Sequence, residues 1–302
     1  MTQQQRIVPC LWFDRDAEPA AAFYTSLFPN ARINHVTRYG TEGQEITGQA
    51  PGSVMTVEFE LAGYRFTALN GGPEFAFTPA VSFYVTCATP AEVDALWAPL
   101  ADGGRALMEL GTYDWSPRYG WVRDRYGVTW QLTVGDAPQP VIPALLFVGD
   151  QHGRAEEAMR LYTELFPGST IDAVARYGPG EGDVAGTIKY GQFSLGGETF
   201  IAMDSGLDHD FTFTEAISFE VTCTTQAEID HLWEHLTAGG EEQPCGWLKD
   251  RFGVSWQIEP LVLQTYLNDP DPERTARVMR AFLQMTKVDI PTLTRAYEGH
   301  GD

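Results

Sequence analysis

The chain is written twice. Tyr24-Thr25-Ser26-Leu27-Phe28-Pro29 returns as Tyr162-Thr163-Glu164-Leu165-Phe166-Pro167, and each copy leads into Arg-Tyr-Gly, at Arg38-Tyr39-Gly40 and Arg176-Tyr177-Gly178. Ala80 to Cys87 recurs as Ala216 to Cys223, and Gly120 to Leu132 recurs as Gly246 to Ile258. The blocks keep one order at a spacing of roughly 135 residues, far longer than the units of solenoids or propellers, so each copy is a whole domain. Equivalent positions of the two copies can then be compared directly.

The 302 residues are 43% hydrophobic and 20% charged, enough apolar material for two ordinary cores. A net charge of −21 opposes phosphate backbones and anionic headgroups, which excludes nucleic acid and membrane surfaces as natural partners. The opening Met-Thr-Gln-Gln-Gln-Arg has no basic region followed by an apolar stretch, and no apolar run approaches the roughly 18 residues of a spanning helix. A soluble cytoplasmic protein is the expectation. Cys10, Cys87, Cys223 and Cys245 include no Cys-x-x-Cys pair, so neither disulfides nor a zinc site is expected. Cys245 has Tyr119 as its counterpart, which excludes a nucleophile shared by both copies.

Along the first copy, Ile7 to Phe13 reads as a strand, Ala20 to Leu27 as a helix ended by Pro29, and Ile33 to Tyr39 as a second strand. Val54 to Leu61 and Tyr64 to Leu69 form a hairpin around Ala62-Gly63. The same plan then repeats: a strand from Val81, a helix opened by the capping box Thr89-Pro90-Ala91-Glu92, and strands over Ala106 to Leu110, Gly120 to Arg123 and Val128 to Val134. The second copy is four residues longer before its first helix and lacks about ten residues matching the Leu107 to Ser116 stretch. The boundaries read from these patterns are a first domain over 1–135, a Pro-containing linker over 136–140, a second domain over 141–260 and a helical tail over 261–302. In the tail, Leu261 to Leu267 and Glu273 to Met285 read as helices, with Val278, Phe282 and Met285 on one stripe.

Strand–helix–three-strand units in pairs, with Tyr-x-x-Leu-Phe-Pro in the first helix and Asp-Arg-Tyr/Phe-Gly-Val-x-Trp-Gln in the final hairpin, resemble the vicinal oxygen chelate superfamily. Cys245 to Gln257 and the Asp269-Pro270-Asp271-Pro272-Glu273 segment resemble its PhnB-like branch, whose members carry the label 3-demethylubiquinone-9 3-methyltransferase-like. The resemblance implies an α+β fold of two tandem vicinal-oxygen-chelate domains, each of two βαβββ units forming a curved mixed sheet, followed by the helical tail. It also implies that the pair takes the place of a homodimer, an internal pseudo-dimer, and leaves homodimerisation of the whole chain open. Metal enzymes of the superfamily carry His, Glu or Gln on the first and last strands of each half. By register those positions are Pro9, Asn70, Ala80 and Gln131 in the first copy, and Pro143, Asp204, Ala216 and Gln257 in the second. Such a donor set is too poor for a tightly held divalent ion, so neither a metal nor another cofactor is expected. A methyl donor calls for a Gly-rich turn between strand and helix, whereas Asn70-Gly71-Gly72-Pro73 leads toward a strand, which counts against the literal label.

Alternation puts Trp130 and Gln131, and likewise Trp256 and Gln257, on opposite faces of their strands, and the superfamily register turns the Gln residues inward. The ligand-binding set expected from the sequence is Asn70, Gln131, Asp204, Gln257, Trp12 and Phe147. Asp204, with uncharged Asn70 as its partner in the other copy, is the titrating catalytic candidate, so that one domain alone is active. His231 and His235 have a metal-binding spacing, but the buried stripe Ile229, Leu232, Trp233 and Leu236 turns them to solvent. The function expected is binding of a small apolar or aromatic molecule in a sheet-lined cup. The alternatives are a glyoxalase-like enzyme doing lyase, isomerase or oxygenase chemistry on a carbonyl or oxygenated ring, with or without a metal, then a methyltransferase as the family label has it, and a chain in which one copy merely supports the other.

Overall fold

The computed structural model describes residues 5–42 and 44–300, and its elements follow the repeat. The first copy runs β1 (Ile7–Phe13), α1 (Ala17–Leu27), β2 (Arg32–Arg38), the single turn α2 (Gln44–Thr47), β3 (Val54–Leu61), β4 (Tyr64–Asn70), β5 (Val81–Cys87), α3 (Pro90–Ala101), β6 (Arg105–Tyr113), β7 (Ser116–Arg123) and β8 (Thr129–Val134). The second runs β9 (Val141–Phe147), α4 (Ala155–Leu165), β10 (Thr170–Arg176), β11 (Ile188–Leu195), β12 (Glu198–Asp204), β13 (Ile217–Cys223), α5 (Gln226–Thr237), β14 (Glu241–Glu242), β15 (Trp247–Lys249) and β16 (Ser255–Pro260). The tail is α6 (Leu261–Leu267), α7 (Pro272–Phe282) and α8 (Ile290–Glu298). The extra residues before α4 form a 3-10 turn, Gly149–Gln151. No helix among the described residues is long and apolar enough to cross a membrane.

The sheets do not follow the boundary between the copies. Sheet A has the order β14-β15-β16-β13-β1-β4-β3-β2, and sheet B the order β10-β11-β12-β9-β5-β8-β7-β6. Each therefore joins one βαβββ unit of the first copy to one of the second. The seams are antiparallel, Ile7↔Val221 to Leu11↔Ile217 in sheet A and Val81↔Leu145 to Val85↔Val141 in sheet B. A single unit would leave its first strand as a bare edge with a row of unpaired N–H and C=O groups, and these seams cover all four such edges.

Within a copy, the two units meet through their helices. Tyr24 on α1, which packs on sheet A, donates its hydroxyl to Asp124 Oδ2 at 2.8 Å, and Trp130 of sheet B donates its indole N–H to the same oxygen at 2.8 Å. The other oxygen accepts the backbone N–H groups of Tyr126 and Val128, so this buried carboxylate is fully partnered. The second copy repeats the arrangement with Tyr162, Asp250 and Trp256. Around these anchors lie Phe59, Phe66, Phe83, Phe193, Phe200 and Phe219, each at most 1% exposed.

Packing through helices gives each sheet one covered face and one open face. On β1, Ile7, Leu11 and Phe13 join the core, which leaves Val8, Cys10 and Trp12 on the open side. Trp130 and Trp256 join the core as well, so Gln131 and Gln257 point the other way. Sheet A curls over its open face. Trp12 on β1 and Trp247 on β15 are three strands apart, about 14 Å in a flat sheet, yet their ring centroids are 5.7 Å apart. In sheet B, Tyr84 on β5 and Tyr190 on β11 are also three strands apart and pack against one cluster of Ile142, Ala144 and Ile201.

The tail has a small core of its own, Leu263, Val278, Val288 and Leu293. Its second helix stops at Phe282 rather than continuing to Met285, and α8 was not foreseen in the sequence. Asp289 caps α8 by accepting the Thr292 N–H at 2.8 Å, and Gly299 ends it in a left-handed conformation, φ 79°.

Candidate functional site

Sheet A's open face, cup A, carries titratable groups from four strands. Thr67 on β4 donates to Glu220 Oε2 on β13 at 2.8 Å, reaching over β1, and the Cys10 thiol of β1 lies against the same carboxylate. Gln257 on β16 donates to Ser218 Oγ at 2.8 Å and keeps its amide beside Cys10. Glu259, two residues on, faces the same side. Burial holds the Glu220 carboxyl up to about 7, with the nearby Glu58 charge adding to it and the contacts from Thr67 and Cys10 working against it. Burial, then the charge of Glu220, holds Glu259 up to about 8. Among the described residues neither carboxylate has an ion-pair partner, so each raises the other and the two titrate as a pair. Burial and the same carboxylates push the Cys10 thiol well up, which makes it a poor nucleophile.

Sheet B's open face, cup B, has the same frame and different chemistry. Gln131 donates to Ser82 Oγ at 2.8 Å, as Gln257 does to Ser218, but its carbonyl accepts the Tyr119 hydroxyl at 2.7 Å. The register that pairs Cys10 with Thr67 pairs Ala144 with Ile201, Tyr84 stands where cup A has Glu220, and Thr133 where it has Glu259. Ile142, Ala144 and Ile201 form a buried apolar floor, with Tyr84, Tyr190 and Met203 packed around it.

The structure separates the residues singled out in the sequence. Pro9, Asn70, Ala80 and Gln131 do not share a cup, because Pro9 and Asn70 lie in sheet A and Ala80 and Gln131 at sheet B; the second-copy set is split in the same way. Asn70 and Asp204 pair in register with Phe13 and Phe147, so all four face the helices rather than a cup. Asn70 accepts the Ala17 N–H at 2.9 Å, and Asp204 accepts those of Gly153, Ala155 and Ile188, so both fasten the start of a helix to the sheet. With three N–H donors and no open face, Asp204 is not placed for acid–base work on a ligand. Phe147 is fully buried against Phe213 and Phe252. Trp12 does face cup A, its indole N–H bonded to the Gly72 carbonyl at 2.8 Å, while Gln257 faces cup A and Gln131 cup B. His231 and His235 are exposed, their rings 4.4 Å apart on α5.

Cup A offers a thiol, hydroxyls, one amide and the Glu220 and Glu259 carboxyls, and cup B the Ser82 hydroxyl and the Gln131 amide over apolar Ala144 and Ile201. Among the described residues no group of three His, Cys, Asp or Glu is close enough to grip an ion. These donors do not fit a tightly held divalent metal. Sequence reasoning missed Glu220 and Glu259. The signal was alternation on β16, since a strand that turns Gln257 inward turns Glu259 inward too.

Two eight-stranded mixed sheets with this connectivity define a vicinal-oxygen-chelate protein. The chain is similar to glyoxalase I from Zea mays, with 9% identity over 88% of this chain and 97% of that one, and a TM-score of 0.56, a likeness of fold alone. It is also similar to a putative 3-demethylubiquinone-9 3-methyltransferase, PhnB protein, from Bacillus cereus, at 41% identity over 43% of this chain and all of that one, with a TM-score of 0.40. The 3-demethylubiquinone-9 3-methyltransferase family matches twice in tandem, over residues 5–133 and 139–259, and the chain belongs to that family. No curated protein matches it.

Proposed function

We propose that the protein binds a small apolar or aromatic molecule in cup B. The observation that carries this reading is the apolar cluster of Ile142, Ala144 and Ile201, which lies off the main core on the open face and is ringed by Tyr84, Tyr190 and Met203. An apolar floor with a few placed polar groups, here Gln131 and Tyr119, is the usual make-up of a small-molecule site. Native mass spectrometry of the purified protein, with and without Ala144→Trp to fill the floor, tests it. A co-purifying small molecule lost in the variant supports the reading, and equal retention by both proteins refutes it.

A second reading is favoured by one arrangement in cup A: Glu220 lies against Thr67 and Cys10 with Glu259 on the same face, and burial raises both carboxyls above their ordinary range. Such a pair takes a proton from, or gives one to, a carbon next to a carbonyl or a ring oxygen, the chemistry of a glyoxalase-like enzyme without a tightly held metal. Glu220 then serves as acid–base group and Gln257 as the amide that orients the ligand. The family's name is no guide to methyl transfer in this reading. Gly71 and Gly72 support the Trp12 side chain, and a Cβ on Gly71 would come within 2.2 Å of its ring.

A further inference from the structure

The second copy lacks about ten residues matching the Leu107 to Ser116 stretch, yet sheet A is not left short at that place. In sheet B those residues lengthen the edge: β6 pairs with β7 from Arg105↔Arg123 out to Tyr113↔Ser116, with Gly111 opposite Tyr119. In sheet A the ladder of β14 on β15 ends after Glu241↔Lys249 and Glu242↔Leu248. Beyond it, Cys245, the counterpart of Tyr119, donates its N–H to Met285 O at 2.7 Å, and Gly246 donates to Thr286 O at 2.8 Å. Tail residues thus take the edge position that the hairpin holds in the other sheet. The fit is close, since a Cβ on Gly246 would meet the Ile258 carbonyl at 2.9 Å and Val288 at 3.0 Å.

The tail also reaches across to the far side of the cup. Burial, and then the charge of nearby Glu259, hold the Cys245 thiol up to about 11, which puts this turn beside the cup. The loop after β2 begins over the same face, with Tyr39 near Cys10 and its hydroxyl on the Asn70 carbonyl at 2.7 Å. Arg280 on α7 meets Glu42 of that loop at 3.4 Å, an ion pair joining segments rooted at opposite ends of sheet A.

We infer that the C-terminal helices form the closing wall of cup A, so that this cup opens by release of α7 from the loop after β2 while cup B keeps a wall fixed in its sheet. The difference is one of attachment. The β6–β7 wall is part of the sheet, a strand ladder along its whole length though with three register shifts, whereas the tail is held by the Cys245 and Gly246 N–H bonds, by Gln226 bonded to Val288 and Ile290, by Ile290 against the main core, and by the Lys287–Asp230 and Arg280–Glu42 pairs. Exposed ion pairs contribute little each, so opening is a local event well below global unfolding. The inference concerns access to cup A and rests on the second reading above only for what enters there.

Arg280→Glu and the charge-swapped pair Glu42→Arg with Arg280→Glu test it on the full chain without a ligand. Hydrogen exchange at the Cys245 and Gly246 amides reports release of the tail, and iodoacetamide alkylation of Cys10 at pH ~8, mapped by peptide mass spectrometry, reports access to the cup. The single variant is expected to speed both by about three- to tenfold, leave Cys87 on sheet B unchanged, and be restored by the swap. Three results overturn the inference: no change in exchange, faster exchange with no change at Cys10, or an equal rise at Cys87. The first removes the clasp, the second removes the tail from the mouth of the cup, and the third makes the effect a general loosening. None of them bears on whether Glu220 transfers protons.

Discussion

Replacing Glu220 and Glu259 together by Gln removes two carboxyls that the native state holds protonated while the unfolded chain does not. Folded values of about 7 and about 8 stand above an ordinary 4.5. The folded state therefore binds the protons more tightly, and stability falls as pH rises from about 4.5 through the folded values. Taken singly, shifts of this size correspond to about 3 and about 5 kcal/mol. Part of that is one mutual repulsion counted twice, and water reaches both half-buried groups, so we expect about 3 kcal/mol for the pair between pH ~5 and ~8. The groups facing them are Cys10, Glu58, Arg65 and Cys245, all unchanged in the variant, and other carboxyls cancel in the comparison. Urea unfolding at both pH values is the assay. The Gln/Gln protein should match the parent near pH 5, where Gln mimics the protonated acid, and exceed it by about 3 kcal/mol near pH 8. A difference that stays flat with pH, or favours the parent at the higher value, refutes the reasoning.

Fragments 1–138 and 139–302 should not fold as separate monomers, because each contributes two bare first strands to seams that need the other; analytical ultracentrifugation should find self-associated or unfolded fragment alone and a one-to-one complex on mixing. Asp204→Ala should cost about 2–4 kcal/mol in urea unfolding by orphaning three backbone N–H groups, with no change in what cup B retains in native mass spectrometry. Gly71→Ala places a Cβ within 2.2 Å of the Trp12 ring, so it should break the indole bond to the Gly72 carbonyl, lower stability by about 1–3 kcal/mol and shift tryptophan emission to the red.

What the sequence made legible is what short-range physics writes into it. Thr89 and Thr225 do accept the N–H groups of Glu92 and Glu228, as the capping boxes require, and the Ala62-Gly63 turn joins the hairpin expected. Alternation placed Trp130 and Trp256 opposite Gln131 and Gln257 for the same reason, since one strand fixes both faces. Register against another strand is not written locally. Asn70 and Asp204 lie at the ends of β4 and β12, where one residue's shift decides between cup and helix face, and neither strand carries a mark of its partner. Nor does a chain order say which unit pairs with which. β1 pairs with β13 rather than with β5, and Tyr24 and Trp130 fill the space between the units of one copy, tertiary facts invisible in either segment.

That pairing changes what duplication allows. In a dimer of identical single copies, both cups would be made of the same two units, and a substitution in either unit would appear in both cups. In the fused chain, cup A draws on β1–β4 and β13–β16, and cup B on β5–β8 and β9–β12, so every cup position exists once. Glu220 and Tyr84 are equivalent in their copies yet belong to different cups, as are Glu259 and Thr133, and Cys10 and Ala144. An acidic sheet face and a neutral, phenol-ringed one then stand on one frame, with the Ser–Gln pair kept in both because it satisfies buried polar groups in either. The same logic accounts for the two walls: a hairpin about ten residues shorter in the second copy leaves cup A alone to be closed, and the tail, present once, closes it.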